Sequence, residues 1–242
     1  MSVIEAPDVV EQLVTEDDTP VDNLPSEKQQ RLLVEPLYSS WEAGRPFLAA
    51  SNVGVFSAIN RPPVVPDMLL SLDVQVADDW WTKQHRSYFL WGFGKPPEVV
   101  VEIVSNTEGE ETGRKFYEYA RIGVWYYVIC DPQRLVQEEG VRVYELHIGE
   151  YLPKRDSWLE RVGMGLTLWE GEFEGKWDWW LRWCDREGMV IPTGTERAER
   201  ERERAERERE RAERERERAE QERERAERLA AQLRALGVEP EA

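Results

Sequence analysis

Histidine and cysteine are scarce in this chain, and their scarcity removes several reaction classes. Two histidines, His85 and His147, in 242 residues leave little material for a His-rich zinc site or a Ser-His-Asp triad. Both read as ordinary surface or strand residues. The two cysteines, Cys130 and Cys184, have no CxxC spacing, and Cys130 ends the apolar run VWYYVIC, where a small buried thiol is expected. A reducing cytoplasm fits that usage. No apolar run approaches the roughly 20 residues of a membrane helix, and the opening MSVIEAPDVVEQ lacks the basic and apolar regions of a signal peptide. Positive charge is also short, with 32 Lys and Arg against 49 Asp and Glu and a net charge of −17. The deficit is uneven: from residue 195 onward there are 16 acidic and 14 basic residues, which leaves 33 acids and 18 bases in the remainder. Affinity for nucleic acid rests mainly on Lys and Arg displacing counterions, so this acidity argues against a broad phosphate-binding surface.

The rest of the sequence divides into three parts. Residues 1–25 are acidic and contain Pro7, Pro20 and Pro25, the composition of a flexible leader. Residues 26–194 hold the periodic apolar segments of one folded domain, and residues 195–242 form a charged tail. Within the domain, Ser26 with Gln29 has the form of a capping box, and Leu32, Leu33, Leu37 and Trp41 recur at helical spacing. Pro36 is expected to kink or split that helix. The runs FLAA, VGVFSAI, MLLSLDVQV and SYFLW predict an antiparallel meander. PEVVVEIVS reads as a strand buried on both faces, residues 110–121 as a helix ended by Gly123, and VWYYVICDP as a second central strand. The two strands are expected to be parallel neighbours in a β-α-β unit. VRVYELH follows, then a hairpin of WWLRWC and MVIPT around DREG. The predicted fold class is α/β with a mixed sheet.

Three residues carry the chemistry. Asp67 opens PDMLLSLDV, Glu102 interrupts a valine run, and Lys115 begins the helix between the two central strands. A carboxylate within a buried strand is costly unless it is paired or bound to a metal. Strand alternation places Glu98, Val100, Glu102 and Val104 on one face of their strand, and Asp67, Leu69, Ser71 and Asp73 likewise share a face of theirs. Magnesium takes carboxylate oxygens and keeps several waters, so two acids at neighbouring strand ends suit metal-assisted phosphoester chemistry, with a lysine to steady developing charge. Each residue also has a plainer role. Glu102 fits a strand-end acid capping a loop, Asp67 a turn residue after Pro66, and Lys115 a surface partner of Glu111 at i to i+4.

Taken together, VPDMLLSLDV, KPPEVVVEIVS and GRKFYEYARIGVWYYVICDP resemble the Uma-two family of bacterial proteins, a restriction-endonuclease-like group. The resemblance runs from about Leu24 to Thr193, and charged tails ending like LAAQLRALG recur in that family. It implies a PD-(D/E)xK nuclease core, a mixed sheet flanked by helices with magnesium held by the acids. Asp67 matches the PD acid and Glu102 the acid of the family's E-V-x-S motif. The position two after Glu102, lysine in the wider superfamily, is Val104 here, and Lys115 matches the lysine moved to the following helix. Glu111 stands where relatives often have Asp, and SNTEGEE replaces a Ser-Pro-rich loop. Glu35, on the first helix, is a candidate third carboxylate, although a solvated helix face explains it equally.

The tail repeats alanine at 198, 205, 212, 219 and 226, but the positions three beyond the first four are Glu201, Glu208, Glu215 and Glu222, so a coiled-coil seam would bury carboxylates. Each ERERERA heptad instead has three opposite-charge i to i+4 pairs against two like-charge ones. This predicts a solvated helix over residues 196–228, roughly 50 Å long at 1.5 Å per residue. Leu229, Leu233 and Leu236 form a patch at its end for a second copy or another protein. The sequence thus points to a cytoplasmic Mg²⁺- or Mn²⁺-dependent endonuclease acting on DNA, with Asp67 and Glu102 as ligands and Lys115 as electrostatic catalyst. Its rivals are a degenerate nuclease fold serving as an interaction module and a hydrolase of a small phosphoester. A basic cleft around Arg114, Lys115, Arg121 and Lys95 would favour DNA.

Overall fold

A computed structural model of the protein describes residues 23–104, 113–135 and 137–235. The proposed leader, apart from its last three residues, the whole SNTEGEE loop, which includes Glu111, and Leu236 lie outside the described residues. The chain divides into two units, residues 1–193 and 194–242.

Helix α1 (Leu24–Ser39) starts earlier than the capping box implies. Its cap is Asn23, whose Oδ1 accepts the Ser26 N–H at 3.0 Å and the Ser26 hydroxyl at 3.1 Å. An Asn at this position satisfies an otherwise unpaired first-turn N–H. Gln29 therefore does not close a capping box. Its amide donates to the Leu181 carbonyl (2.9 Å) and accepts the Leu181 N–H (2.8 Å). Pro36 does not end the helix, which continues one turn to Ser39, and the Pro36 carbonyl accepts the N–H groups of Ser40 and Trp41. Leu32, Leu33 and Leu37 are fully buried.

The strands follow as β1 (Phe47–Ala50), β2 (Val55–Phe56), β3 (Met68–Leu72), β4 (Tyr88–Phe89), β5 (Val99–Ile103), β6 (Tyr126–Cys130), β7 (Val141–His147), β8 (Glu150–Pro153), β9 (Trp158–Leu159), β10 (Met164–Phe173) and β11 (Lys176–Cys184). Between them lie the short helix α2 (Leu90–Phe93), helix α3 (Arg114–Ile122) and a 3-10 turn at Lys83–His85. The central sheet has the order β1-β3-β5-β6-β7-β8. Strands β5 and β6 are parallel and the other pairs antiparallel, so the sheet is mixed and the expected β-α-β unit is present. The predicted meander is not. Strands β2 and β4 leave the sheet and pair with each other in parallel. The main partner of β11 is β10, across a two-residue turn at Glu174 and Gly175, both with positive φ. After the DREG turn only one antiparallel bridge forms, Cys184 to Val190.

Alternation along the central strands creates two cores. Met68, Leu70, Val99, Val101, Tyr126 and Val128 face α1 and the β9–β11 sheet, joining Leu33, Leu37, Leu181 and Trp183. Leu69, Val100, Val104, Tyr127 and Ile129 face α3, joining Tyr119, Ala120 and Ile122. Helix α3 is anchored by Phe116, whose ring meets Tyr144 edge-on at 5.0 Å and Tyr151 at 5.1 Å. Gly123 ends it at φ 91° and donates to the carbonyls of Tyr119 and Ala120.

The second unit contains one helix, α4 (Gly194–Ala235), 42 residues long and without a buried residue. It extends past the predicted end at 228. Ion pairs at i to i+4 run along it, among them Arg204–Glu208 (3.4 Å) and Arg223–Glu227 (3.2 Å).

Candidate active site

The antiparallel register of β3 and β5 sets Met68 opposite Val101. Asp67 immediately precedes β3, and Glu102 is the fourth residue of β5. By parity both belong to the face that carries Leu69, Val100 and Val104, the face covered by α3. Lys115 and Tyr119 lie one turn apart on α3 and reach the same carboxylate. Lys115 Nζ donates to Glu102 Oε2 at 2.7 Å and the Tyr119 hydroxyl to Glu102 Oε1 at 2.8 Å. The Glu102 side chain is 1% exposed and that of Lys115 22%, so the acid is sealed and the ammonium still reaches solvent. A weaker contact of 3.3 Å runs from Lys115 Nζ to the Val65 carbonyl.

Asp67 takes over where the backbone ladder ends. Extending the register places Pro66 opposite Ile103, and the Ile103 N–H goes instead to Asp67 Oδ2 at 2.6 Å. Asp67 Oδ1 accepts from Gln30 Nε2 at 3.3 Å, and Gln30 Oε1 accepts from Asn52 Nδ2 at 2.9 Å. Helix α1, the β1–β2 connection, β3, β5 and α3 all contribute to one cluster.

The electrostatics follow from burial. Loss of water pushes the Glu102 carboxyl up to about 8; the Lys115 ammonium pulls it down, the Asp67 charge pushes it further up, and hydrogen bonds from Lys115 and Tyr119 oppose the rise. Burial, then the Glu102 charge, holds the Tyr119 hydroxyl well above the ordinary tyrosine range. Two carboxylates near one ammonium in a desolvated corner form a hard-oxygen, anion-rich site.

Of the residues singled out from sequence, Asp67, Glu102 and Lys115 come together here. Glu35 is exposed on α1, and the residue that α1 sends to Asp67 is Gln30. Val104 is buried, and its N–H joins β5 to the Cys130 carbonyl. A basic cleft of four residues does not form. Lys95 bonds Glu98 and the Leu72 carbonyl at the far end of β3, and Arg121 bonds Glu118 (2.5 Å) and Ser57 (3.3 Å). Sequence reasoning missed Tyr119, Gln30 and Asn52. Tyr119 had a signal in its four-residue spacing from Lys115. Gln30 and Asn52 had none, because their roles depend on a pairing across the fold.

The family model described as "Putative restriction endonuclease", Uma2, matches residues 16–167, a span containing Gln30, Asn52, Asp67, Glu102, Lys115 and Tyr119. A search of curated proteins finds no match. Among solved structures, the chain is similar to "a putative nuclease belonging to DUF820 from Anabaena variabilis ATCC 29413" at 15% identity, over 57% of this chain and 71% of that one, with a TM-score of 0.39. Because the family model spans more than half of the sequence and every residue of the cluster built above, the chain belongs to the Uma2 family.

Proposed function

We propose that residues 26–194 form an endonuclease domain that hydrolyses phosphodiester bonds in DNA with Mg²⁺ or Mn²⁺, and that Asp67, Glu102 and Lys115 carry the reaction. The observation that supports this most is Glu102: a fully buried carboxylate on a central strand, on the same sheet face as a second acid and bonded to the lysine of the next helix. No group of three or more His, Cys, Asp or Glu side chains converges among the described residues. A cation at this cluster would therefore be held by Asp67 and Glu102. Each carboxylate oxygen has a second lone pair beyond the hydrogen bond it accepts, and two carboxylates with several waters suit magnesium. When bound, such a cation supplies Lewis acidity and offsets the charge of a phosphodiester.

The chain's own residues do the rest. Lys115 and Tyr119 occupy both oxygens of Glu102 and favour its ionised form in a site where burial opposes it. Lys115 Nζ, partly exposed, is placed to donate to a non-bridging phosphate oxygen and so to steady charge as it grows. Asp67, whose Oδ2 accepts from the Ile103 N–H and whose Oδ1 accepts from Gln30, would be the second ligand. A site with its own cation also answers the acidity of the domain, since local charge can substitute for a basic surface.

A cleavage assay on DNA and RNA substrates with Mg²⁺ or Mn²⁺, run beside calorimetry of metal binding, tests the proposal. Glu102→Ala should lose metal and cleavage together. Lys115→Ala should keep the metal and cleave roughly 10²–10³-fold more slowly, the usual effect of removing one positioned charge. Absence of divalent binding in the millimolar range, with every nucleic acid left intact, would move the assignment to a nuclease fold used as an interaction module.

A further inference from the structure

A chain of two amides stands behind Asp67. Gln30 is 3% exposed, in the first half of α1, among apolar residues that pack on the sheet. Its amide spans two partners, accepting from Asn52 Nδ2 at 2.9 Å and donating to Asp67 Oδ1 at 3.3 Å. The first bond decides the sense of the second. An amide can present its oxygen or its nitrogen, and an oxygen turned to the Asp67 carboxylate would repel it. With Asn52 donating to Gln30 Oε1, the NH₂ group is the end that faces Asp67. Asn52 reaches this position through a left-handed backbone, φ 54°, which asparagine tolerates better than most residues. The second Asp67 oxygen is held by the Ile103 N–H at 2.6 Å, so the carboxylate is gripped from α1 on one side and β5 on the other.

We infer that Gln30 is a positioning residue for Asp67 and that Asn52 sets the orientation of its amide. The relay fixes the rotamer of the acid at the mouth of the β3–β5 pair, where no backbone ladder would fix it. Its structural half concerns the Asp67–Ile103 bond alone; its functional half, a better ordered cation ligand, rests on the endonuclease reading above. Partners that orient metal ligands commonly change metal affinity by about 10–100-fold.

The test uses the full chain with two substitutions: Gln30→Leu, which keeps volume and removes the amide, and Asn52→Gly, which keeps the left-handed backbone accessible and removes the donor. Amide hydrogen exchange, resolved by NMR, reads the Asp67 bond without any metal. Exchange of the Ile103 N–H should quicken by about tenfold or more in both variants, while the adjacent Val104 N–H, bonded to the Cys130 carbonyl at 2.8 Å, keeps its wild-type rate. Mn²⁺ affinity measured by calorimetry should fall about tenfold or more in the same two proteins. Unchanged Ile103 exchange in both, or equal acceleration at Ile103 and Val104, would overturn the positioning role. If wild-type protein binds no Mn²⁺, the endonuclease reading fails while the exchange comparison still decides the relay.

Discussion

In the folded protein the Glu102 carboxyl ionises only at about pH 8, whereas an ordinary glutamate titrates at 4.5, and burial is the main cause. A raised carboxyl favours the protonated form in the fold. Its contribution to stability is therefore complete below about pH 4.5 and is lost as pH rises through about 8. Glu102→Gln, which cannot ionise, should escape that loss. In the presence of a chelator the variant is expected to gain on wild type from pH 5 to pH 8, reaching on the order of 1–3 kcal/mol in denaturant titrations. Added Mn²⁺ should shrink the difference by stabilising only the wild type. A pH-independent difference would mean that Lys115 and Tyr119 already keep the carboxylate charged. Under the proposed function, Glu102 is a residue at which local folding preference and chemistry oppose one another, as is common at functional sites.

At the scale of elements, α1 works as a carrier of polar contacts as much as an apolar layer. Gln29 closes the edge of β11 at buried Leu181, Gln30 meets Asp67, and Trp183 Nε1 donates to the Leu33 carbonyl at 2.8 Å. Gln29→Leu leaves the Leu181 N–H and carbonyl buried without that partner. A loss of about 1–3 kcal/mol is expected in thermal or urea unfolding. Asn23→Ala, which removes only the cap, should cost about 1 kcal/mol, a fall of roughly 2–4 °C in Tm. An effect of Asn23→Ala larger than that of Gln29→Leu would reverse the order of importance assigned to the two contacts. The same helix shows where sequence stops informing. The β5-α3-β6 unit was legible because valine and tyrosine runs, a short amphipathic segment and Gly123 each state their conformation locally. The common face of Asp67 and Glu102 follows from parity and an adjacent pairing. The parallel pairing of β2 with β4 and the relay from Asn52 through Gln30 to Asp67 depend on partners 22 to 37 residues apart, chosen by tertiary packing rather than by periodicity, and the cap at Asn23 was hidden because Ser26, three residues on, is an equally suitable cap residue. The β10–β11 hairpin was missed for another reason. Its turn, Glu174-Gly175, relies on positive φ at a glutamate whose side chain is held by Arg31 and Lys28 of α1, at 2.5 Å in each case.

For the whole molecule, the charge imbalance and the two-unit organisation set the expectations. No helix among the described residues is long and apolar enough to cross a membrane. Helix α4 buries no residue, so its stability must come from propensity and from i to i+4 charge pairs. Deleting residues 194–242 should leave the Tm of the remaining domain within a few degrees of its original value. It should also abolish a helical circular-dichroism component whose intensity falls as salt rises from about 0.05 to 1 M. Loss of several kcal/mol on truncation would show that the domain needs the helix.

The heptad repeat of α4 gives the helix a graduated length. At about 1.5 Å per residue its 42 residues keep their two ends roughly 63 Å apart, whereas a flexible linker of the same size would average about 36 Å. Adding or deleting one ERERERA unit alters that separation by about 10 Å and turns the far end by only about 20°. The charge pattern is unchanged by such an edit, so the span can be reset in even steps without rebuilding any contact.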